Sequence, residues 1–436
     1  MRKVVLLGTA AIWLLVFTVQ AFSEETGIEG ASEGGAEQEN GFLSDVDLAI
    51  HGFYEMRAGY RIRKNKYQKD MSVMENRFQW DVDGYTDWME FKLKGDFIGD
   101  LVLEEGDFDF REAFLFARPL DDVDLKIGRQ ILTWGTGDLL FINDLFPKDW
   151  RSFFIGRDVE YLKAPSDALK VSFFREFANL DIVYTPKFDP DRYIKGERVS
   201  YWNPILGREA GEDAIIHTNK PDEYIDDYEL AARLYKYINN YEVAIYGYRG
   251  YWKSPGGFTP NLAQAIFPRL NVYGSSIRGN VGKGIGNIEF GYYDSVDDRS
   301  GKNGLINNSE LRLLIGYTQE VAKNFTAGVQ YYIEHMLDYS EYTNSTPMGL
   351  DKDRNRHLVT LRLTKLLMNQ NLVLSLFTYY SPSDDDAYLR PNANYKVTDN
   401  LAVEVGGNIF FGHQMDTFFG QFENNSNIYT AFRYSF

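Results

Sequence analysis

A side-chain period of two constrains this chain more than any other feature. Read backwards from the last residue, Phe436, Tyr434, Phe432, Thr430 and Ile428 share one face of an extended strand, and Ser435, Arg433, Ala431, Tyr429 and Asn427 share the other. One such strand, apolar on one side and polar on the other, occurs in any half-buried sheet. Here the alternation recurs from Asp47 onward. Leu48, Ile50, Tyr54, Met56, Tyr60 and Ile62 alternate with Asp47, His51, Glu55, Arg57 and Arg61. That run outlasts the usual strand of a soluble sheet and fits a tilted strand crossing a bilayer.

The next strands repeat the device. Met74, Phe78, Trp80 and Val82 alternate with Glu75, Arg77, Gln79, Asp81 and Asp83, and Met89, Phe91, Leu93 and Phe97 alternate with Glu90, Lys92, Lys94 and Asp96. After an acidic connection around Leu103 to Asp107, the residues Phe108, Phe110, Phe114 and Phe116 are expected to form one further apolar face. The connections themselves alternate in length. Tight ones fall at 84–87, 119–124, 176–179, 239–240, 282–286, 321–324, 365–371 and 398–400. Long ones fall at 134–166, 186–226, 252–270, 294–308, 335–354 and 412–426, with shorter members of the same set at 64–70 and 381–386. A closed barrel with one rim of turns and one rim of loops has this rhythm, and a sandwich or propeller has no cause to obey it. The fold class expected is therefore all-β, an up-and-down antiparallel transmembrane barrel of roughly eighteen strands, with sixteen the next count.

Composition supports this reading. The chain has 436 residues, 30 Tyr, 31 Phe, no Cys and a net charge of -17. Aromatics suit strands and membrane interfaces. Absence of cysteine fits an oxidising compartment and excludes thiolate metal sites. The acidic balance argues against nucleic acid as a partner. Arg2 and Lys3 followed by an apolar run to Val19 have the pattern of a secretory signal peptide, assigned to residues 1–23. The Glu- and Gly-rich stretch 24–45 has no periodicity and is expected to be a flexible acidic tail on the inner side of the membrane, which leaves 46–436 for the barrel.

Two faces of one wall meet two solvents. Charge at mid-bilayer costs on the order of 2 to 4 kcal/mol, so the lipid face must be apolar. Leu311, Leu313, Ile315 and Tyr317, then Ala327, Val329, Tyr331 and Ile333, then Leu401, Val403, Val405, Ile409 and Phe411 meet that demand. The opposite positions carry Arg57, Arg61, Arg77, Lys92, Lys94, Arg111, Lys126, Arg233, Arg278, Arg312, Arg362, Arg390, Lys396 and Arg433. Against them stand Glu55, Glu75, Asp81, Asp96, Asp109, Glu229, Glu242, Glu289, Glu310, Glu334 and Glu404. A barrel this wide cannot fill itself with side chains, so charges of both signs imply water inside. Leu139, Leu140, Phe141, Leu145, Phe146, Phe153 and Phe154 make the stretch 134–166 too apolar to stand in solvent, so it is expected to fold inward. Arg129, Gln130, Trp134, Asp138, Asp144, Asp149 and Arg151 would then shape a constriction.

The terminal strand, with Phe432, Tyr434 and Phe436, resembles the C-terminal assembly signal of bacterial outer-membrane β-barrels. A Gly128-Arg129-Gln130 strand running into Trp134-Gly135 and an Asp- and Pro-containing segment to Trp150 resembles large single-chain porin-like proteins related to the alginate-export group. The likeness implies a monomeric, substrate-selective export or uptake channel. Together with the mixed-sign wall, the expectation is an outer-membrane channel for small polar or charged solutes, with the lipid bilayer, lipopolysaccharide and the barrel-assembly machinery as partners and no cofactor. Alginate fits poorly, because the interior mixes signs where an anionic polymer would ask for a basic wall. A barrel that acts as a binding or assembly scaffold, through the acidic loops 186–226 and 335–354, is the alternative.

Other sites are weaker. His335 beside Glu334 with Asp338, and His413 with Asp416, are the only groupings that resemble acid-base chemistry, and no enzymatic activity is expected from them. Gly282 to Gly286 lacks the strand-to-helix setting of a phosphate loop and reads as a turn. Asp294, Asp297 and Asp298 and the run Asp384 to Asp386 lack the spacing of a calcium loop, so no metal is expected.

Overall fold

Eighteen long strands close on themselves. In the computed structural model, which describes residues 46–347 and 350–436, they are β1 (Asp47–Arg61), β2 (Met71–Tyr85), β3 (Met89–Asp100), β4 (Glu105–Leu120), β5 (Val123–Gln130), β6 (Ser166–Phe173), β7 (Asn179–Thr185), β8 (Glu229–Ile238), β9 (Tyr241–Tyr251), β10 (Arg269–Val281), β11 (Gly284–Ser295), β12 (Glu310–Ala322), β13 (Phe325–Met336), β14 (Asn355–Leu367), β15 (Leu372–Ser381), β16 (Asp386–Lys396), β17 (Leu401–Gly412) and β18 (Asn427–Ser435). Each pairs antiparallel with its neighbours in sequence, and β1 closes on β18 with Phe53 opposite Ser435 and Arg61 opposite Asn427. Closure leaves no unpaired edge, which is the condition for strands to cross a bilayer. The secretory segment 1–23 and the acidic tail 24–45 lie outside the described residues. Among the described residues no helix is long and apolar enough to cross a membrane.

The side chains sort by the parity of their position. Ile50, Met56, Ile245, Ile315, Val329, Val405 and Phe432 are exposed on the outer face. Glu55, Arg57, Arg77, Asp96 and Glu289 are buried on the inner one. One strand departs from the expected pattern. In β4, Glu112 pairs with Lys94 but Phe110 pairs with Gly95, so Arg111 is an extra residue without a partner. A one-residue insertion exchanges the faces beyond it. Phe108 and Phe110 therefore look outward, while Phe114 lies opposite Lys92 and faces inward with the Lys126 ammonium 3.6 Å from its ring centre. The four phenylalanines do not share one face.

The connections at the short rim are tight turns, and those at the other rim carry the remaining structure. The segment 131–165 between β5 and β6 contains one short helix, α1 (Trp150–Ile155), capped at its start by the Asp149 carboxylate, which accepts from the Ser152 amide, and ended by Gly156 at φ 93°. The connection 186–228 carries a small hairpin, Tyr201–Asn203 with Arg208–Ala210. A buried apolar cluster unites Ile142, Phe153, Phe154 and Ile155 of the first connection with Val199 and Tyr201 of the second and with Leu314, Tyr388, Phe410 and Tyr429 of the wall. Burial of this apolar surface, at about 25 cal/mol per Å², draws the long connections onto the wall.

Candidate functional site

The segment 131–165 touches strands on every side of the barrel, so it lies inside. Arg57 of β1 donates to the Gly156 carbonyl at 2.6 Å, and the Tyr161 ring sits between the guanidiniums of Arg77 on β2 and Arg111 on β4, at 4.2 and 4.7 Å. Glu289 of β11, Gln330 of β13, Arg362 of β14 and Tyr379 of β15 hold the other end. In an 18-stranded ring, β2 and β11 are nine positions apart, half the circumference. Only a segment that crosses the interior can reach both.

The anchors are polar and specific. The Glu289 carboxylate, almost wholly buried, accepts from the backbone of Thr136 at 2.7 Å, of Gly137 at 3.1 Å and of Asn143 at 2.8 Å, and from the side chains of Thr136 and Asn143 at 3.0 Å each. A carboxylate with so many donors is fixed, and so is the turn that supplies them. Gln330 accepts from the Asp138 amide at 2.7 Å and donates back to its carbonyl at 2.8 Å. Tyr293 donates to the Ile142 carbonyl at 2.5 Å and Tyr379 to the Leu139 carbonyl at 2.9 Å. At the helix, Phe153 and Phe154 pack edge-on against Tyr388, and Asn427 donates to the Phe154 carbonyl at 3.3 Å.

The residues singled out in this segment do not all converge. Trp134 packs against Phe146 and Tyr246. Asp138 pairs with Arg362, and both side chains stay partly exposed. Asp144 is buried in an ion pair with Lys148 at 2.9 Å and accepts from Thr133 at 2.8 Å. Burial pushes the Asp149 carboxyl up, but Arg192, Arg151, Arg157 and the Ser152 amide outweigh it and hold the group below the usual range. Gln130 is fully buried on the inner face and donates to the Ala168 carbonyl at 2.9 Å. Its neighbour Arg129 points to the opposite face and pairs with Asp167 at 2.7 Å, because adjacent residues of a strand cannot share a side. Arg151 is half exposed, 4.0 Å from Glu197.

Most inward charges of the wall are engaged. Arg57 bridges Glu55 at 2.9 Å and Glu404 at 2.8 Å, Lys92 bridges Asp81 at 2.6 Å and Asp83 at 2.8 Å, and Lys94 lies 3.7 Å from Asp81. Arg312 pairs with Glu310 at 2.8 Å, and Arg433 reaches Glu55 at 2.8 Å and Asp158 at 3.3 Å. Arg61 donates to the backbone of Met71 at 2.9 Å, and Arg111 to that of Lys163, also at 2.9 Å. Among the described residues, Lys126, Arg278 and Arg390 have no carboxylate within ion-pair distance, and Arg390 stacks 3.9 Å over Phe153. Asp138, Asp158 and Glu160 of the crossing segment and Arg362 of the wall are among the partly exposed charges of the interior.

The groupings set aside in the sequence do not assemble as sites. Glu334 faces inward with Arg312, and His335, one position on, meets Asn355 on the exposed side. His413 faces Asp385 at 3.5 Å, not Asp416. Asp294 and Asp297 pair with Arg299 and Arg269, and Asp298 accepts from the Asn303 amide. Among the described residues no cluster of three or more His, Asp or Glu side chains is arranged to hold a metal ion.

Solved structures share this overall fold. OccD3 (OpdP) of Pseudomonas aeruginosa superposes with a TM-score of 0.53 at 12% identity, over 89% of this chain and 91% of its own. OccAB3 of Acinetobacter baumannii gives 0.54 at 10% identity, over 89% and 99%. OccK5 (OpdH) of P. aeruginosa gives 0.52 at 12%, over 91% and 98%. The fold is that of an outer-membrane porin. At such low identity this porin likeness fixes architecture alone, and the finer resemblance to the alginate-export group is not specifically shown by it. No protein-family model matches the chain, and no curated protein resembles it in sequence.

Proposed function

We propose that the protein is a channel of the bacterial outer membrane that passes small polar or charged solutes beside the segment 131–165. The observation that carries this reading is the set of polar anchors, led by Glu289, that hold the segment across a charged interior. A wall needing only to be soluble inside would have no use for a fixed crossing, whereas a selective passage needs one of defined position. The partly exposed pair Asp138 and Arg362 and the cluster Asp158, Glu160 and Arg433 supply charges of both signs along the way. This mixture suits small charged solutes better than a uniform polyanion. The loop 335–354 remains available to the scaffold alternative, but Arg192, Arg198 and Val199 of the loop 186–228 are turned inward or buried, which removes much of its motive. Lipopolysaccharide around the rim and the barrel-assembly machinery acting on Phe432, Tyr434 and Phe436 belong to the same proposal.

Planar-bilayer recordings of the purified, reconstituted protein test it. Discrete conductance steps, together with liposome swelling that ranks neutral, anionic and cationic solutes differently, are the expected result. A folded barrel that gives neither overturns the reading.

A further inference from the structure

The loop 186–228 also reaches into the barrel, and it meets the segment 131–165 on a single carboxylate. Arg157 of segment 131–165 donates to Glu75 Oε1 and Oε2 at 2.5 and 2.9 Å. Arg198 of the loop 186–228 donates to the same Oε1 at 2.8 Å, and Arg77 of β2 lies 3.4 Å from Oε2. Glu75 is all but fully buried on the inner face of β2. Around it the charges balance, with Arg77, Arg157 and Arg198 against Glu75, Asp96 and Asp100, since Arg77 also pairs with Asp96 and Arg198 with Asp100. The loop 186–228 leaves β7 and returns to β8, yet Arg198 has travelled to the wall at β2 and β3. On the way Arg192 clamps Asp109 of β4 with two hydrogen bonds at 2.7 Å and reaches Asp149 of the first segment at 3.4 Å. Val199, Ser200, Tyr201 and Ala210 are buried beneath this crossing.

We propose that Glu75 is a positioning residue that locks both connections to the wall at β2 and β3, and that the loop 186–228 is a second occluding element of the channel. The proposal rests on the channel reading. It follows from the charge count: removal of the Glu75 charge leaves three guanidiniums, those of Arg77 and Arg198 buried and that of Arg157 largely so, with two carboxylates, an imbalance that burial penalises heavily. The strands are held by their own ladder, so the release falls on the two loops, which alone can carry their arginines into water.

The test compares wild type with Glu75→Gln and with the double variant Arg157→Gln/Arg198→Gln, each as the full chain reconstituted in planar bilayers. Retention of the heat-modifiable folded band on gels reports the barrel separately. Both variants are expected to raise single-channel conductance about twofold or more with the folded band intact, as a freed constriction does. Conductance equal to wild type in a folded variant overturns the proposal. Trypsin digestion of the folded wild type needs no variant: protection of the bonds after Arg157 and Arg198 is expected, and ready cleavage there overturns the lock. If the wild type does not conduct, the channel reading fails, whereas new cleavage after Arg198 in Glu75→Gln still reports the lock.

Discussion

Asp138 and Arg362, 224 residues apart in sequence, meet inside the barrel with the guanidinium Nη2 donating to the carboxylate Oδ1 at 2.7 Å. Both side chains are partly exposed, at 45% and 36%, so the pair adds little to stability. On the channel reading, its consequence is charge compensation in the interior. Asp138→Asn leaves Arg362 as an uncompensated cation, and the zero-current potential in a salt gradient is expected to shift toward anion preference. An unchanged potential would place the pair away from the permeation path.

Glu289 governs the position of the same segment. Glu289→Ala removes the acceptor of three backbone amides, those of Thr136, Gly137 and Asn143, in a buried site. Each unpaired buried donor costs about 1–3 kcal/mol. The segment is expected to detach while the strand ladder persists, giving noisier and larger conductance and new protease cleavage between Trp134 and Phe146. Glu289→Gln keeps a carbonyl acceptor and should fall between the variant and wild type. Equal protease resistance in all three would show that the apolar contacts alone suffice.

The sequence made the wall legible because its information is local. Side-chain period and connection length are read within ten residues, and β1, β2, β12 and β18 fall where the alternation placed them. Arg111 was hidden for a physical reason: an extra residue in an already apolar run leaves Phe108 to Phe116 looking continuous, and only the pairing of Lys94 with Glu112 exposes it. The anchors were hidden because their partners are remote. Nothing near Glu289 signals that it will hold a turn some 150 residues earlier, and the acidic character of the loop 186–228 conceals Arg192 and Arg198, the two residues that turn it inward. The separation of Arg129 from Gln130 needed no remote contact and could have been read from parity.

Acid should leave the helix α1 in place well below neutral pH. The Asp149 carboxyl titrates below its ordinary value, so its contribution to folding is fully present above that unfolded value, near 3.8, and is lost as pH falls through the lower folded value. Conductance is therefore expected to stay level from neutral pH down to the ordinary carboxylate range as far as this cap is concerned. Asp149→Asn keeps an acceptor for the Ser152 amide but gives up the charge that faces Arg192, and should make the acid sensitivity of the segment disappear along with part of its stability. Acid sensitivity identical in wild type and variant would assign it to other carboxylates.

Phe436 closes the barrel twice over. Its amide donates to the Gly52 carbonyl at 3.0 Å, its carbonyl accepts from the Gly52 amide at 3.1 Å, and its ring stacks on Phe78 at 6.0 Å. Gly52 is small for cause: a Cβ there would stand 2.6 Å from the Phe436 ring and 2.4 Å from the Gln79 carbonyl. Deletion of Phe436 removes the last rung between β1 and β18 along with the aromatic contact, so the seam opens where the chain ends. Gly52→Ala keeps the terminal residue but displaces its ring. If the terminal aromatic serves assembly only as a recognition signal, the deletion lowers the yield of folded barrel in cells while refolding from urea into detergent is normal, and Gly52→Ala is silent. If the seam contact itself matters, both variants lose folded, heat-modifiable protein in cells and in refolding alike. The geometry at Gly52 favours the second outcome, and normal refolding of both variants would reject it.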